Sequence, residues 1–261
     1  MDTGNNCMKS NQIIKGNCID VMKKIDAESV DLVLTDPPYN ISGKSKLDLK
    51  NNTTGGPYYK MEETWDIFKD YKEYLDFTRS WIAEADRVLV EKGSIAICCS
   101  FHALGEILMA LKEIDYKILN IITWRKTNPM PNITKRILTH STEFIVWAAK
   151  SKGWKFNYED MKKYSDGKQL RDVWEFPLCQ GKERIKNDTG RAAHPNQKPM
   201  KLISRIVEMA SEPGDLILDP FLGAGTTAVA ANLLKRKWIG IENNSKYQEI
   251  AEKRIASEEK I

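Results

Sequence analysis

Apolar positions along this chain follow two alternating periods, and the alternation predicts an α/β fold. Near the N-terminus QIIKGN reads as a strand, DVMKKI as a short helix, and VDLVLTD as a second strand. The unbroken apolar run VDLVL suits a strand covered on both faces of a parallel sheet. Residues 42–64 are polar, rich in Gly and Asn and without periodicity, so a loop is expected there. From Asp70 onward, Tyr74, Leu75, Thr78, Trp81, Ile82, Ala85 and Leu89 fall at helical spacing. Gly93 is read as the end of that unit, followed by the buried strand SIAICCS, another helix and the strand KILNIITW.

Residues 125–193 break this rhythm. TNPMPN is loop-like, TEFIVWAA is a strand, and the rest is polar and irregular. Regularity returns at Pro199, which suits a first helical turn. Leu202, Ile203, Ile206 and Met209 then mark one helix face, followed by DLILD, a Gly-rich turn, the helix TTAVAANLLKR, the strand WIGIE and a closing helix with Tyr247, Ile250, Ala251 and Ile255 inward. Strands alternating with helices predict a Rossmann-like, doubly wound, mostly parallel sheet.

Length and composition refine this picture modestly. The 261 residues, 41% apolar, suffice for one well-buried domain and show no repeat. The polar N-terminus and the lack of any long apolar run lead to the expectation of a cytoplasmic protein with no membrane partner. The five cysteines (Cys7, Cys18, Cys98, Cys99, Cys179) are odd in number and lack CxxC spacing, as reduced thiols would be. Charge is more telling in its distribution. Residues 117–193 hold 16 Lys/Arg against 8 Asp/Glu, a local +8 in a chain of net +4, so the rest is mildly acidic. Such a basic region suggests a polyanion, although a solvated lysine-rich surface reads the same way.

The stretch LILDPFLGAGTTAVAA places Gly223 and Gly225 between a strand and a helix. Glycines there let backbone approach a ligand, and Glu242 ends the next strand, where a carboxylate can accept bonds from ribose hydroxyls. A nucleoside cofactor fits. GAGTTA also matches a dinucleotide turn, and a turn without ligand fits too. The Asp219-Pro220-Phe221 insert favours a cofactor carrying an ammonium, since Asp219 would repel a pyrophosphate and attract a methionine amine.

VDLVLT runs straight into Asp36-Pro37-Pro38-Tyr39-Asn40. Two prolines fix the backbone, so the Asp36 carboxylate and the Pro37 carbonyl can accept both hydrogens of an exocyclic amine. Tyr39 can stack on the base, worth about 1–3 kcal/mol, against the few kcal/mol needed to flip a base.

DPPYN, HPNQKP and DPFLGAGTT, in that order and spanning the chain from about Ile13 to Ile255, resemble the β class of DNA amino-methyltransferases. That class is a circularly permuted class I methyltransferase fold. ITWRKTNPMPN, THSTEFIVWA and DGKQLRDVW are similar to adenine enzymes of GATC restriction–modification systems, the DpnA-like group in particular. The resemblance implies a catalytic half over 1–124, an inserted target-recognition region over 125–193 and a cofactor half over 194–261. It gives Asp36, Pro37, Pro38 and Tyr39 to the target base, with Asp36 also bordering the cofactor. Asp219, Pro220, Phe221, Gly223, Gly225, Thr226 and Thr227 would surround the methionine part, Lys198 would neutralise its carboxylate, and Glu242 would hold the ribose. Asn17, Cys18 and Asp20 would edge the cofactor's adenine, although GNCID departs from the commoner GD start.

The expected activity is methyl transfer from S-adenosylmethionine, without metal, to the 6-amino group of adenine in a short site, GATC first and GANTC or an asymmetric A-rich site behind it. Alternatives are the 4-amino group of cytosine, a nicotinamide-dependent oxidoreductase and a non-catalytic nucleic-acid-binding module. Lys126, Asn128, Asn132, Lys135, Arg136, Lys168, Gln169 and Arg171 are the expected DNA contacts. Double-stranded DNA is the expected partner. Single-stranded DNA, a homodimer and a cognate restriction endonuclease acting separately stay open. The scattered His102, His140 and His194 and the strand cysteines Cys98 and Cys99 read as structural, and Trp124, Trp147 and Trp174 as core.

Overall fold

The computed structural model describes residues 9–41, 66–132 and 135–258; the expected 42–64 loop and Cys7 lie outside them. The chain runs β1 (Gln12–Lys15), α1 (Cys18–Met22), β2 (Val30–Thr35), α2 (Tyr71–Val88), β3 (Leu89–Cys99), α3 (Leu104–Glu113), β4 (Lys117–Lys126) and β5 (Thr142–Ala149). It continues through α4 (Tyr158–Met161), β6 (Val173–Phe176), α5 (Met200–Ala210), β7 (Leu216–Asp219), α6 (Thr226–Leu233), β8 (Lys237–Glu242) and α7 (Ser245–Glu258).

The strands form one sheet in the order β1-β8-β7-β2-β3-β5-β4-β6. All pairings are parallel except those of β5, which runs against both β3 and β4. Successive side chains in a strand point to opposite faces, so the sheet has two cores. Val33, Ile95 and Ile97 meet α1, α2 and α3 on one face. Leu32, Leu34, Ala96 and Cys98 face the other core, shared with α5, α6 and α7. Trp124, Trp147 and Trp174 are buried there, as their strand positions implied.

Two expectations change. Gly93 does not end the unit after α2. It lies inside β3, where pairing to β2 jumps from Val30↔Leu89 to Leu32↔Ser94, and a Cβ there would meet Val90 O at 2.9 Å. The glycine permits a bulge rather than a stop. Nor is 125–193 wholly an insertion, since β5 lies inside the sheet and β6 closes its edge. Residues 127–132, 135–141 and 177–193 lie at the carboxyl-terminal edge of the parallel strands, whereas residues 165–172 precede β6 and lie at the amino-terminal edge.

The winding reverses between β7 and β2. β7 leads through α6 to β8 in one direction, and β2 leads through α2 to β3 in the other. Ligands of open α/β sheets bind at the carboxyl ends of strands at such a switch point. Gly240, in β8 beneath this crevice, has no room for a side chain, because a Cβ would sit 2.6 Å from Cδ2 of Leu222. Gly240→Ala is therefore expected to destabilise the fold by about 1–3 kcal/mol through overpacking, read as a lower urea midpoint with unchanged slope. An unchanged midpoint would show that Leu222 yields freely.

Candidate active site

β2 ends at Thr35, and the chain behind it is held at several points. Asp66 accepts the backbone N–H groups of Tyr39 (2.6 Å), Asn40 (2.7 Å) and Ile41 (3.0 Å). The Tyr74 hydroxyl donates to the Pro38 carbonyl at 2.9 Å. Asn40 adopts φ 55°, a left-handed conformation that asparagine tolerates better than most residues. The two prolines and these four bonds constrain the backbone of the tetrad.

Within it, the Asp36 carboxylate is the centre of a buried polar cluster. Its Oδ1 accepts from the Tyr39 hydroxyl, and its Oδ2 accepts from Lys198 Nζ at 2.6 Å and Asn196 Nδ2 at 3.0 Å. Lys198 also donates to the Tyr39 hydroxyl at 3.1 Å and lies 3.6 Å from Glu143 Oε2. Burial pushes the Asp36 carboxyl above its ordinary range, and the Lys198 ammonium opposes that without cancelling it. Burial disfavours the charge on Lys198, yet Asp36 and Glu143 outweigh it and hold the ammonium above its usual pKa. Tyr39 is raised by burial and then by Asp36.

The Gly-rich turn follows β7 directly. Gly223 (φ 53°) and Gly225 (φ 76°) both take left-handed conformations, and a Cβ would meet His194 Nε2 at 2.9 Å and Ala251 Cβ at 3.0 Å respectively. Asp219 is buried at the switch point, where Oδ1 accepts from Thr35 Oγ1 at 2.7 Å and from Phe221 N–H at 3.1 Å. Burial raises its pKa to about 6 despite bonds to Thr227 and Thr35. Glu242 accepts Gly223 N–H at 2.9 Å and Asn244 N–H at 2.7 Å, and burial raises its pKa. Turn, tetrad and N-terminal segment enclose one cavity of about 510 Å³, a size usual for small-molecule sites.

Asn17, Cys18, Asp36, Pro38, Lys198, Asp219, Pro220, Phe221, Gly223, Thr226, Thr227 and Glu242 line that cavity. The Asn17 side chain caps α1 by accepting Ile19 N–H at 2.9 Å, and burial pushes the Cys18 thiol up to about 12. Four expected residues and one role fall elsewhere. Pro37 is buried and outside the lining. Asp20 is turned to solvent 3.7 Å from Lys23, outside the lining. Gly225 packs under α7. Tyr39, 5% exposed, keeps its ring off the cavity wall because its hydroxyl is bound by Asp36 and Lys198. Lys198, expected on a methionine carboxylate, is engaged by Asp36 and Glu143.

The expected DNA contacts separate into three groups. The Lys126 side chain is 12% exposed and pairs with Glu143 Oε1 at 2.8 Å, which joins it to the buried cluster. Asn128 accepts Leu178 N–H at 2.6 Å and Asn132 accepts Lys135 N–H through its carbonyl at 3.2 Å, which shapes the loop. Lys135 and Arg136 are exposed at the carboxyl-terminal edge, beside Leu138 at 90% exposure. Lys168, Gln169 and Arg171 precede β6 and line a separate open hollow at the amino-terminal edge.

Sequence reasoning missed Thr35, Asp66, Tyr74, Glu143 and Asn196, and it set His194 aside as structural. His194 lines the cavity, packs edge-on to Tyr247 at 4.4 Å, and is pushed down to about 3 by burial. Asn196 could have been found, since it is the third position of HPNQKP. Asp66 stands at the end of a segment without periodicity and carried no signal. Among the described residues, no three His, Cys, Asp or Glu are grouped to hold a metal ion, and no helix is long and apolar enough to cross a membrane.

The Asp219 carboxyl carries a pH signature. Its folded-state pKa of about 6 lies above the ordinary 3.8, so the folded protein holds this proton more tightly. The resulting penalty is absent below about pH 4, grows through the window to about pH 6 and is constant above it. Asp219→Asn should therefore be more stable than the parent at pH 8, by up to about 3 kcal/mol at about 1.4 kcal/mol per pH unit, with the gap narrowing at pH 5. Thermal unfolding of both proteins at the two pH values checks this, and a gap that is constant or widens on acidification contradicts it.

The chain is similar to known proteins in sequence and in fold. Residues 30–253 match the N6/N4 family model described as DNA methylase. The type II methyltransferase M.HinfI of Haemophilus influenzae is 41% identical over 247 residues, 94% of this chain and 68% of its own. M2.LlaDCHI of Lactococcus lactis subsp. cremoris is 40% identical, over 93% of this chain and 88% of its own. Among solved structures, M1.HpyAVI in complex with SAM superposes with a TM-score of 0.69 at 28% identity, covering 94% and 98% of the two chains. The cytosine-N4-specific PvuII DNA methyltransferase shares the fold, with a TM-score of 0.72 at 18% identity. The chain thus has the class I methyltransferase fold, uses S-adenosylmethionine, and belongs to the N6/N4 DNA methylase family.

Proposed function

We propose that this DNA methyltransferase modifies the 6-amino group of adenine in a short duplex site, GATC being the first candidate and GANTC the next. The family covers adenine and cytosine amines alike. The observation that carries the adenine reading is Asp36 itself: an aspartate, not a serine, stands before Pro37-Pro38, and it lines the same cavity as the glycine turn.

The residues fit the cofactor. Gly223 brings left-handed backbone to the cavity wall beside His194, Gly225 lets the turn pack under α7, Asp219 offers a carboxylate to the methionine ammonium, and Glu242 offers one to the ribose. Bound S-adenosylmethionine supplies an electrophilic methyl on sulfur. Asp36 accepts one hydrogen of the flipped amine and the Pro37 carbonyl the other, so the nitrogen lone pair faces into the cavity. With that donor bound, the amine nitrogen would take the methyl as the donor's C–S bond breaks, and Asp36, whose raised pKa suits an acceptor, would receive the proton the nitrogen sheds. Tyr39 offers its ring to the base once its hydroxyl leaves Asp36. Rate comes chiefly from proximity and orientation.

Long-read sequencing of DNA from cells making the chain reports the modified base and its context, and 4-methylcytosine there would overturn the adenine reading. In parallel, Asp36→Ala should lose methyl transfer by about 100-fold or more while S-adenosylhomocysteine still binds. Retention of about a tenth of the activity would remove Asp36 from this role.

DNA must approach the carboxyl-terminal edge, where the cavity opens. Lys135→Ala and Arg136→Ala should each weaken duplex binding to all sequences and lower the salt slope by about 1. Gln169→Ala and Arg171→Ala, at the opposite edge, should leave affinity and target choice unchanged. Altered target choice in Arg171→Ala would mean that DNA also reaches the amino-terminal edge.

A further inference from the structure

The proposed reaction leaves one buried carboxylate beside Asp36 without a task. Glu143, near the start of β5, holds Lys126 through Oε1 at 2.8 Å. Its Oε2 is buried, has no hydrogen-bond partner, and faces Lys198 Nζ at 3.6 Å. That same ammonium sits 2.6 Å from Asp36 Oδ2. Asp36 meanwhile takes Asn196 on Oδ2 and the Tyr39 hydroxyl on Oδ1. A carboxylate has about four acceptor positions, so three are filled on the residue that must receive the substrate amine, one of them by a cation. The neighbouring carboxylate has an oxygen to spare within reach of that cation. A buried acceptor without a donor is unfavourable unless another state of the enzyme supplies one.

We infer that Glu143 is a positioning residue: when the target amine reaches Asp36, the Lys198 ammonium moves from Asp36 to Glu143 Oε2. The shift closes 3.6 Å to a charge-assisted bond of about 2.8 Å. No proton moves in this step and the charge of the cluster is unchanged. Lys126 holds the receiving carboxylate in place. Removing the ammonium from Asp36 restores the acceptor strength that the amine needs, and it frees the Tyr39 hydroxyl of one of its two partners.

The inference rests on Asp36 as the amine acceptor, and the test keeps the two apart. Steady-state methyl transfer to target duplex is measured for the wild type, Glu143→Gln, Lys198→Met and the double variant, with 2-aminopurine at the target base reporting flipping. Glu143→Gln should lower kcat by about 10–100-fold, with KM for DNA and cofactor within about threefold and the flipping signal retained. In the Lys198→Met background the same substitution should cost less than about threefold, because the cation it receives is gone. Should Glu143→Gln fail to fold, Glu143→Asp, which withdraws the carboxylate by one methylene, should show a smaller kcat loss of the same kind. A kcat for the folded variant within about threefold of wild type, or an equal loss with and without Lys198, overturns the positioning role. A wild type that methylates no amine overturns the underlying reading before any variant is compared.

Discussion

The parallel pairing of β2 with β7 is the contact on which the site depends. It sets Leu32 beside Ile217 and Val33 beside Leu218, so the two strands end side by side. The Thr35 hydroxyl then reaches Asp219 at 2.7 Å, across 184 positions of sequence. Everything chemical hangs from those two strand ends: the tetrad continues β2, the glycine turn continues β7, and Glu242 closes β8 alongside. A circular permutation leaves this intact, because the crevice is defined by which strands are neighbours and not by where the chain starts. That is how a tetrad at residues 36–39 and a turn at residues 219–225 come to share one cavity.

Neighbouring strand ends also gather negative charge, and burial makes that unfavourable. Asp36, Glu143 and Asp219 all stand within the same polar interior. Asp36 and Asp219 carry pKa values raised by burial, and each carboxylate raises others nearby. Lys198 and Lys126 are the compensating cations, both buried or nearly so. A buried ion pair is stabilising only when its geometry and remaining hydrogen bonds are good. Among the described residues most polar atoms of the cluster have partners, and Glu143 Oε2 is a buried carboxylate oxygen without a hydrogen-bond donor. A site whose charges are nearly but not fully matched can rearrange at low cost, whereas a fully matched one would be fixed.

Much of this was legible in the chain. The strand-end position of Asp36, the turn around Gly223, and the buried runs VDLVL and DLILD follow from local patterns, because apolar periodicity and Pro or Gly at set positions report backbone directly. Glu143 and Asp66 were not legible. Glu143 sits in TEFIVWAA, where its burial depends on β5 lying between β3 and β4, a fact of long-range pairing. Asp66 acts through three backbone N–H groups more than 20 residues earlier. The Lys126–Glu143 pair was hidden for a related reason: the two residues lie 17 positions apart, and β4 pairing with β5 brings them to 2.8 Å.

The same lesson applies to the basic region as a whole. Its +8 suggested one surface, yet much of that charge is spent inside the protein or on the far edge. Lys150 pairs with Asp86, Lys155 with Asp31 and Asp215, and Lys163 with Glu208. What reaches the carboxyl-terminal rim is a smaller set on residues 127–132, 135–141 and 177–193, the first and last of which the Asn128–Leu178 bond ties together. There Lys135 and Arg136 stand next to exposed Ile137 and Leu138. Cations position a protein on phosphates without reading sequence, while apolar side chains that project this far can enter a base stack. That rim joins exposed cations to exposed apolar side chains at the edge where the parallel strands end. Net charge alone could not have separated that rim from the lysines that serve the core.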